Sequence, residues 1–385
     1  MNSSIYRTVN SSGKFRVLVT KELPGRRWLE ILTDAGCRVD IMTSPDIQTV
    51  ASIRSALGST CSGAIGQLTE EWGDELFTAL KSAGGKVYSN YAVGFDNIDV
   101  DAATRLGIPV GNTPGVLTET TAEMAVALTF AAARRTGEAE RYMRSGRYRG
   151  WLPTLLLGEL LQGKTVGIIG AGRIGDAYAR MMVAGHRMNV VYCDIHRNTS
   201  LEDYVSAYAG FLKQQGMPAV TCQRADRVED LLREADVVSI HTILDASTRH
   251  LINRHSLSLM KPNAVLVNTS RGPVIDESAL VEHCRQHTGF RAGLDVFEDE
   301  PDLKPGLNDL ENVVLTPHIA SATSWTRQGM ATLAAGNIAA LLKGYPVWQG
   351  TDILPFLNVP APKAAPSILN AEALGLLFFN GSFGN

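Results

Sequence analysis

"TVGIIGAGRIGDAYARM" (residues 165–181) places Gly170-x-Gly172-x-x-Gly175 between an apolar strand and the first turn of a helix. Gly170 permits the tight turn, Gly172 lets the backbone approach a pyrophosphate, and Gly175 lets helix and strand pack closely. Phosphates then sit on the helix N-terminus, where free N–H groups and the dipole favour negative charge. Three glycines alone are weak evidence, because any tight strand–helix turn wants glycine. Here the next strand, "NVVYCD", ends at Asp194, 19 residues past Gly175, where a ribose-binding acid is expected about 20 residues on. An acid there accepts from both ribose hydroxyls and repels a 2′-phosphate, which argues for NAD over NADP. His196 and Arg197 follow and could accommodate a phosphate in part.

Working outward, "DVVSIHTIL", "AVLVNTS", "RAGLDVFED" and "NVVLTPHIA" continue the series of strands. Upstream, "FRVLVT" (15–20), "CRVDIM", "GAIG", "KVYSNYAVG" and "IPVGNTPG" form an earlier series, separated by helical stretches such as "WGDELFTALKSAG". Strand–helix alternation implies parallel sheets with helices on both faces. Between the two series lies "TETTAEMAVALTFAAARRTGEAERYMRSG" (118–146), which predicts one very long helix bridging two domains. "SWTRQGMATLAAGNIAALLKGYPV" (324–347) predicts a long helix with an apolar stripe that packs back on the first domain. The Ser/Asn-rich residues 1–14 read as a disordered lead-in, and the Pro/Ala-rich residues 351–385 as an extended tail.

Composition narrows the function classes. At 385 residues the chain is long enough for two domains. A net charge of −3 and a pI near 6.3 advertise neither nucleic acid nor an anionic membrane as partner. Five scattered cysteines without a C-x-x-C pair fit a reducing compartment and no zinc site. No apolar run approaches a membrane span, and the N-terminus lacks the apolar region of a secretory signal.

In open α/β sheets ligands lie beyond the carboxyl ends of the strands. That rule selects His241, Arg271, Asp295, Glu300 and His318, each following a strand. Reducing a 2-oxo acid with a nicotinamide requires a cation for the carboxylate, a proton donor near neutral pH, and a group to orient that donor. Arg271 supplies a planar fork suited to carboxylate. His318 suits the donor, and a neighbouring carboxylate favours its charged form. Within the acidic run "FEDEPD", Glu298 and Asp299 compete with Glu300 on pattern alone. His241 reads as shaping the cofactor pocket. His283 and His287, spaced i, i+4, lack a third metal ligand and read as a polar helix face. Trp325 could close the substrate pocket or serve packing.

"NTSRGPVIDESAL", "GLDVFEDEP" and "TPHIASA" resemble the signature segments of the D-isomer-specific 2-hydroxyacid dehydrogenases. Segments 90–123, 132–153 and 324–348 resemble the plant-type, NADH-dependent hydroxypyruvate reductase branch, and the likeness spans roughly residues 15–375. The resemblance implies Arg271, Glu300 and His318 as the catalytic set. It implies backbone N–H groups at Ala92, Val93 and Gly94 for the substrate carboxylate, together with Arg271. It adds Thr121, Arg173, Ile174, Thr242, Thr269 and Asp295 to Gly170, Gly172, Gly175 and Asp194 around NAD(H), with no metal. It further implies a homodimer joined through the arm "RYMRSGRYRGWLPTLLLG" (141–158).

The expected fold is α/β with two Rossmann-like doubly wound domains. A flavodoxin-like substrate domain takes residues 15–118 and 321–350, an NAD-binding Rossmann domain takes 119–320, and the crevice between them is the site, closing to exclude water. The expected reaction is reduction of hydroxypyruvate to D-glycerate, with glyoxylate to glycolate as a side activity, as in photorespiration. The rivals are a phosphoglycerate- or D-lactate-type dehydrogenase and an NADH-sensing corepressor. Members of this branch end in a Ser-Lys-Leu-type peroxisomal address. The terminal "LFFNGSFGN" (377–385) does not carry it, so the sequence-based expectation is the cytoplasm.

Overall fold

The computed structural model describes residues 5–379. Residues 1–4 of the lead-in and the last six of "LFFNGSFGN" lie outside the described residues. The chain divides into two compact units. The first ends at Leu117 and resumes at Ala322; the second runs from Thr118 to Ser321.

The first unit begins with β1 (Tyr6–Val9), β2 (Phe15–Val19), α1 (Arg27–Asp34), β3 (Cys37–Met42), α2 (Val50–Leu57), β4 (Gly63–Gly66), α3 (Asp74–Ser82), β5 (Val87–Asn90), α4 (Val100–Arg105) and β6 (Val110–Gly111). The sheet order is β1-β3-β2-β4-β5-β6. From β3 to β6 every pairing is parallel. Numbered by themselves, these five strands run 2-1-3-4-5, the flavodoxin-like order. Residues Val17, Leu18 and Val19 are fully buried, as strands covered on both faces should be. On one face Leu57, Trp72, Leu76 and Phe77 pack on Leu18 and Tyr88, the Trp72 and Tyr88 rings standing 4.1 Å apart.

The lead-in is not wholly disordered. β1 adds antiparallel to β3, anchored where Thr8 Oγ1 donates to Asp40 Oδ1 (2.7 Å) and Asn10 Nδ2 to the Cys37 carbonyl (2.9 Å). Pairing satisfies an edge that would otherwise stand open.

The second unit contains α5 (Thr118–Ala133), α6 (Thr136–Arg144), β7 (Thr165–Ile169), α7 (Arg173–His186), β8 (Asn189–Cys193), α8 (Thr199–Gln214), β9 (Cys222–Arg224), α9 (Val228–Glu234), β10 (Val237–Ile240), α10 (Arg254–Leu259), β11 (Val265–Asn268), α11 (Glu277–Gln286), β12 (Arg291–Leu294) and β13 (Val313–Leu315). Its sheet order is β13-β12-β11-β10-β7-β8-β9, and every pair is parallel. Counted from β7 this is 3-2-1-4-5-6 with one strand added, the Rossmann order, and its switch point lies between β7 and β10.

The expected single helix over 118–146 is two. α5 buries Ala122, Ala125, Thr129, Ala132 and Ala133 at helical spacing. The chain then breaks at Arg135, which adopts φ 56°. Residues 158–159 abut this end of α5: Glu159 N–H donates to the Ala133 carbonyl (2.9 Å), and a Cβ at Gly158 would lie 2.5 Å from the same oxygen. The Arg135 guanidinium closes the new start by donating two hydrogen bonds to the Glu138 carboxylate.

The chain returns to the first unit through α12 (Ser324–Leu342), β14 (Val347–Trp348), α13 (Leu354–Leu357) and β15 (Phe378–Phe379). Helix α12 is buried on nearly all sides rather than along a stripe. Its alanines and glycines admit α1 on one flank and the sheet on another. Asn337, fully buried, donates to Ser89 Oγ and the Asn112 carbonyl and accepts from Ser367 N–H. The tail beyond residue 351 is therefore packed, not extended: Leu369 N–H donates to the Val110 carbonyl, and Asn370 bonds both Val110 N–H and the Ile108 carbonyl. These bonds occupy the open edge of β6, which is what draws the tail in. Among the described residues no helix is long and apolar enough to cross a membrane.

Candidate active site

The glycine turn follows β7. Gly170 adopts φ 90°, and a Cβ there would lie 2.8 Å from the His241 carbonyl at the end of β10. A Cβ at Gly175 would lie 2.1 Å from the Gly170 oxygen, so α7 can approach its strand only without one. Around Gly172 a Cβ would meet open space. That is the geometry of a phosphate cradle: two glycines required by protein contacts, and one facing outward at the N-cap of α7. Arg173 and Ile174 form the first turn of that helix.

Asp194 ends β8 and is half-buried. It accepts Ala171 N–H on Oδ2 (2.7 Å) and His196 N–H on Oδ1 (2.8 Å), which fixes both oxygens beside the glycine turn. Arg197, expected as a candidate phosphate partner, is engaged by Glu202, to which it donates bonds of 3.1, 3.0 and 2.7 Å. The cation that reaches the Asp194 backbone is Arg224, whose Nη2 donates to its carbonyl (2.8 Å). Sequence spacing could not show this, because Arg224 arrives from the neighbouring strand β9.

Beneath the turn, Thr129 and Tyr178 share a hydrogen bond of 2.8 Å, as do Ser239 and His241 Nε2, and the Tyr178 and His241 rings lie 5.1 Å apart. Burial pushes the His241 imidazole down to about 3, so it is neutral at physiological pH and supports the loop rather than supplying a proton. Thr121 is buried in the first turns of α5 and Thr242 follows His241. Thr269 Oγ1 is buried without a partner among the described residues, a polar atom left over for a ligand. Outward glycine, acid at the strand end and orphaned hydroxyl together fit a dinucleotide.

Arg271 follows β11 in extended conformation (φ −142°), half-buried, with Nη1 donating to the Ser270 carbonyl (2.9 Å). Asn268 staples this turn: its Nδ2 donates to the Arg271 carbonyl (2.8 Å), while its Oδ1 accepts from Ser270 N–H and Oγ. An Asn at a strand end before Ser is an Asx-turn signal that the sequence reading passed over.

The acidic run sorts itself in space. Glu298 Oε1 meets His250 Nε2 at 2.7 Å and Asp299 meets Lys304 Nζ at 2.6 Å. Glu300 Oε2 meets His318 Nδ1 at 2.9 Å, and its Oε1 accepts Phe297 N–H (2.9 Å). Partial burial raises the Glu300 pKa, but the hydrogen bond and charge of His318, with the charge of Arg271, outweigh it and hold the carboxyl below its ordinary value. Glu300 is then ionised at neutral pH, and its Oε2 orients the His318 ring through Nδ1.

Asp295 was expected to line the cofactor. It is fully buried, and its carboxylate accepts Thr316 Oγ1 (2.6 Å), Ile319 N–H (2.9 Å) and Ala320 N–H (2.7 Å). Its carbonyl accepts His318 N–H (2.8 Å). Asp295 thus shapes the turn in which His318 holds φ 53°, a left-handed conformation that costs a β-carbon residue about 1 kcal/mol or more.

In the first unit, the loop after β5 has its carbonyls tied down: Ala92 O accepts Thr113 N–H, Val93 O accepts Asn112 Nδ2 and Gly94 O accepts Asn90 Nδ2. None of the three N–H groups is spent on a bond among the described residues. Trp325 is 58% exposed, so it does not serve core packing. His283 and His287 stack at 4.2 Å, and His287 Nδ1 turns to the His283 carbonyl.

Comparison with known proteins agrees with this geometry. Residues 126–320 match the family model "D-isomer specific 2-hydroxyacid dehydrogenase, NAD binding domain". The chain is 57% identical over 370 residues to glycerate dehydrogenase of Cucumis sativus, covering 95% of this chain and 97% of that one. It is also 57% identical over 371 residues to "Glycerate dehydrogenase HPR, peroxisomal" of Arabidopsis thaliana, covering 95% and 96%. The crystal structure of TT0316 protein from Thermus thermophilus superposes with a TM-score of 0.77 at 36% identity, over 92% of this chain and all of that one.

Proposed function

The chain belongs to the D-isomer-specific 2-hydroxyacid dehydrogenase family, an NAD-dependent one, and on that premise we propose that it reduces hydroxypyruvate to D-glycerate with NADH. Glyoxylate, reduced to glycolate, is the proposed side substrate. The observation that carries the reading is the Glu300–His318 pair at 2.9 Å in one unit with Arg271 and the glycine turn.

NADH, when bound, supplies the hydride that reaches C2 of the 2-oxo acid. Gly170, Gly172 and Gly175 form its phosphate cradle and Asp194 its ribose anchor. Arg271 binds the substrate carboxylate through its planar fork and polarises the carbonyl. The carboxylate is also a partner for the N–H groups of Ala92, Val93 and Gly94. His318 Nε2, opposite the nitrogen that Glu300 holds, gives its proton to the carbonyl oxygen as hydride arrives, so one hydride and one proton convert C=O to CH–OH. The ionised Glu300 holds the imidazole in orientation through Nδ1 until that transfer.

NADH oxidation by the purified protein, with hydroxypyruvate, glyoxylate, pyruvate and 3-phosphohydroxypyruvate in parallel and NADPH as the second cofactor, tests the assignment. Hydroxypyruvate with NADH should give the highest kcat/KM. A preference for another acid would reassign the substrate, and tight NADH binding without any turnover would favour a nucleotide-sensing protein.

The proposed assembly is a homodimer. Along the arm and just beyond it, Trp151 is 81% and Leu160 74% exposed, and Met143, Leu152 and Leu157 are exposed as well, apolar side chains that support this reading. Light scattering should give about twice the 41.5 kDa of the chain, and W151D with L152D should halve that mass. The compartment implied by the resemblance is the peroxisome, which the name of the Arabidopsis relative also carries. An N-terminal fluorescent fusion reads it directly, and diffuse cytoplasmic signal would refute it.

A further inference from the structure

A cluster of titratable groups with no part in the mechanism above lies against the loop that carries Glu300. Glu277 opens α11, one residue after its Asp276 cap, and is 1% exposed. Its Oε1 accepts Glu298 N–H at 2.7 Å, while Glu298 Oε2 faces Glu277 N–H at 3.4 Å. Its other oxygen, Oε2, is buried without a partner among the described residues. Glu298 is in turn held by His250 at 2.7 Å, and Lys304 Nζ approaches it to 3.6 Å.

The same peptide is pinned from a second side. A Cβ at Gly272, the residue after Arg271, would lie 1.9 Å from the Phe297 carbonyl group. The turn of Arg271 and the loop of Glu300 are therefore in backbone contact at residues 272 and 297–298. Phe297 N–H bonds Glu300 Oε1, and Glu300 bonds His318. A carboxyl buried beside another carboxyl is expensive unless it is hydrogen-bonded or neutralised. Burial, with the charges of Glu298 and Asp299 behind it and Lys304 against it, pushes Glu277 up to about 7. The other charged groups around it are Asp276 on its own helix, His250 from the segment before α10, and Arg254 on α10, which is engaged with Glu282 instead.

We propose that Glu277 is a positioning residue for the reduction: by its reciprocal hydrogen bonds with Glu298 it holds loop 297–300, and through it the Glu300–His318 pair and the Arg271 turn, in register. The inference rests on the proposed function for its catalytic consequence, but not for its structural one. Glu277→Gln keeps an oxygen for Glu298 N–H, and Glu277→Ala removes it. In Glu277→Ala kcat for hydroxypyruvate should fall about tenfold or more, since sub-ångström misplacement of catalytic groups is costly. NADH affinity should stay within about twofold, and Glu277→Gln should recover kcat to within about threefold of wild type. The histidine resonances of selectively labelled protein, with His318 assigned through His318→Gln, give a readout that needs no turnover. The His318 ring nitrogen resonances should shift in Glu277→Ala, because the hydrogen bond that Glu300 makes to Nδ1 is loosened.

If Glu277→Ala does not fold, Glu277→Asp carries the test. It withdraws the carboxylate by one methylene and should give the same pattern at about threefold. A folded Glu277→Ala, or Glu277→Asp in its place, with wild-type kcat and unmoved His318 resonances overturns the proposal. Absent turnover in the wild type, with the His318 resonances still moved in the variant, faults the reaction and not the positioning role.

Discussion

Asp295→Asn separates two readings of one residue. As a cofactor contact, Asp295 would matter to NADH affinity. As the buried acceptor of Thr316, Ile319 and Ala320, it matters to the turn that holds His318. The amide keeps one oxygen, best placed on the Oδ1 side, where two donors converge. Its NH₂ then faces Ala320 N–H, where the carboxylate accepted a 2.7 Å bond. Losing one bond to a charged group inside the protein costs about 1.5–3 kcal/mol. The left-handed φ of 53° at His318 leaves the turn little reserve, since that conformation is itself held against a cost of about 1 kcal/mol or more. For the unit Thr118–Ser321, 2 kcal/mol corresponds to a drop in Tm of about 4–8 °C. Scanning calorimetry of wild type and variant, with NADH titrated by fluorescence, reads both quantities. The expected result is a lower Tm and lower kcat at nearly unchanged NADH Kd. An unchanged Tm with NADH affinity lost tenfold would refute the structural role and restore the cofactor contact.

Other perturbations follow the same logic. Glu277 is raised from its ordinary value of 4.5 to about 7, mainly by burial. Between those values the folded protein keeps a proton that the unfolded chain has released, so stability falls as pH rises across that window and levels off above it. Glu277→Gln abolishes this slope; at about 1.4 kcal/mol for each pH unit between the two values, the ceiling is about 3 kcal/mol, read as a variant whose relative Tm improves from pH 5 to pH 8. Gly175→Ala puts a Cβ 2.1 Å from the Gly170 oxygen; it should weaken NADH binding by tenfold or more, and a wild-type Kd would show that the cradle tolerates the shift. Asp194→Ser, with Arg224 bonded to the backbone beside it, should move the NADH-to-NADPH ratio of kcat/KM toward NADPH by about tenfold or more, and an unmoved ratio would remove Asp194 from cofactor choice.

The sheet architecture was legible because its signals are local. "TVGIIGAGRIG" carries strand, turn and helix start in eleven consecutive residues, and parallel strands buried on both faces read as apolar runs. Arg271 and His318 were nameable because strand ends in a doubly wound sheet are where ligands go, and Glu300 because "GLDVFEDEP" resembles a family signature. What escaped the sequence came from tertiary contact. Residues 6–9 look polar and disordered, but β3 offers them an edge. The tail is drawn in by the backbone of β6 through Asn370, and α5 ends early where residues 158–159 meet it. Glu300 could not be told from Glu298 by pattern; only the fold shows one carboxylate facing His318 and the other facing His250. The structural load on Asp295 and Glu277 was hidden for the same reason, since neither residue type nor spacing says which N–H groups a buried carboxylate will meet.

The most direct test compares wild type with His318→Gln in NADH-dependent reduction of hydroxypyruvate at neutral pH, with NADH binding measured alongside. Glutamine preserves bulk and polarity but cannot hand over an imidazolium proton, so kcat should fall at least about a hundredfold while NADH Kd changes little. Turnover within a few-fold of wild type would contradict the account at its centre, because the Glu300–His318 pair would then have no part in the proton transfer.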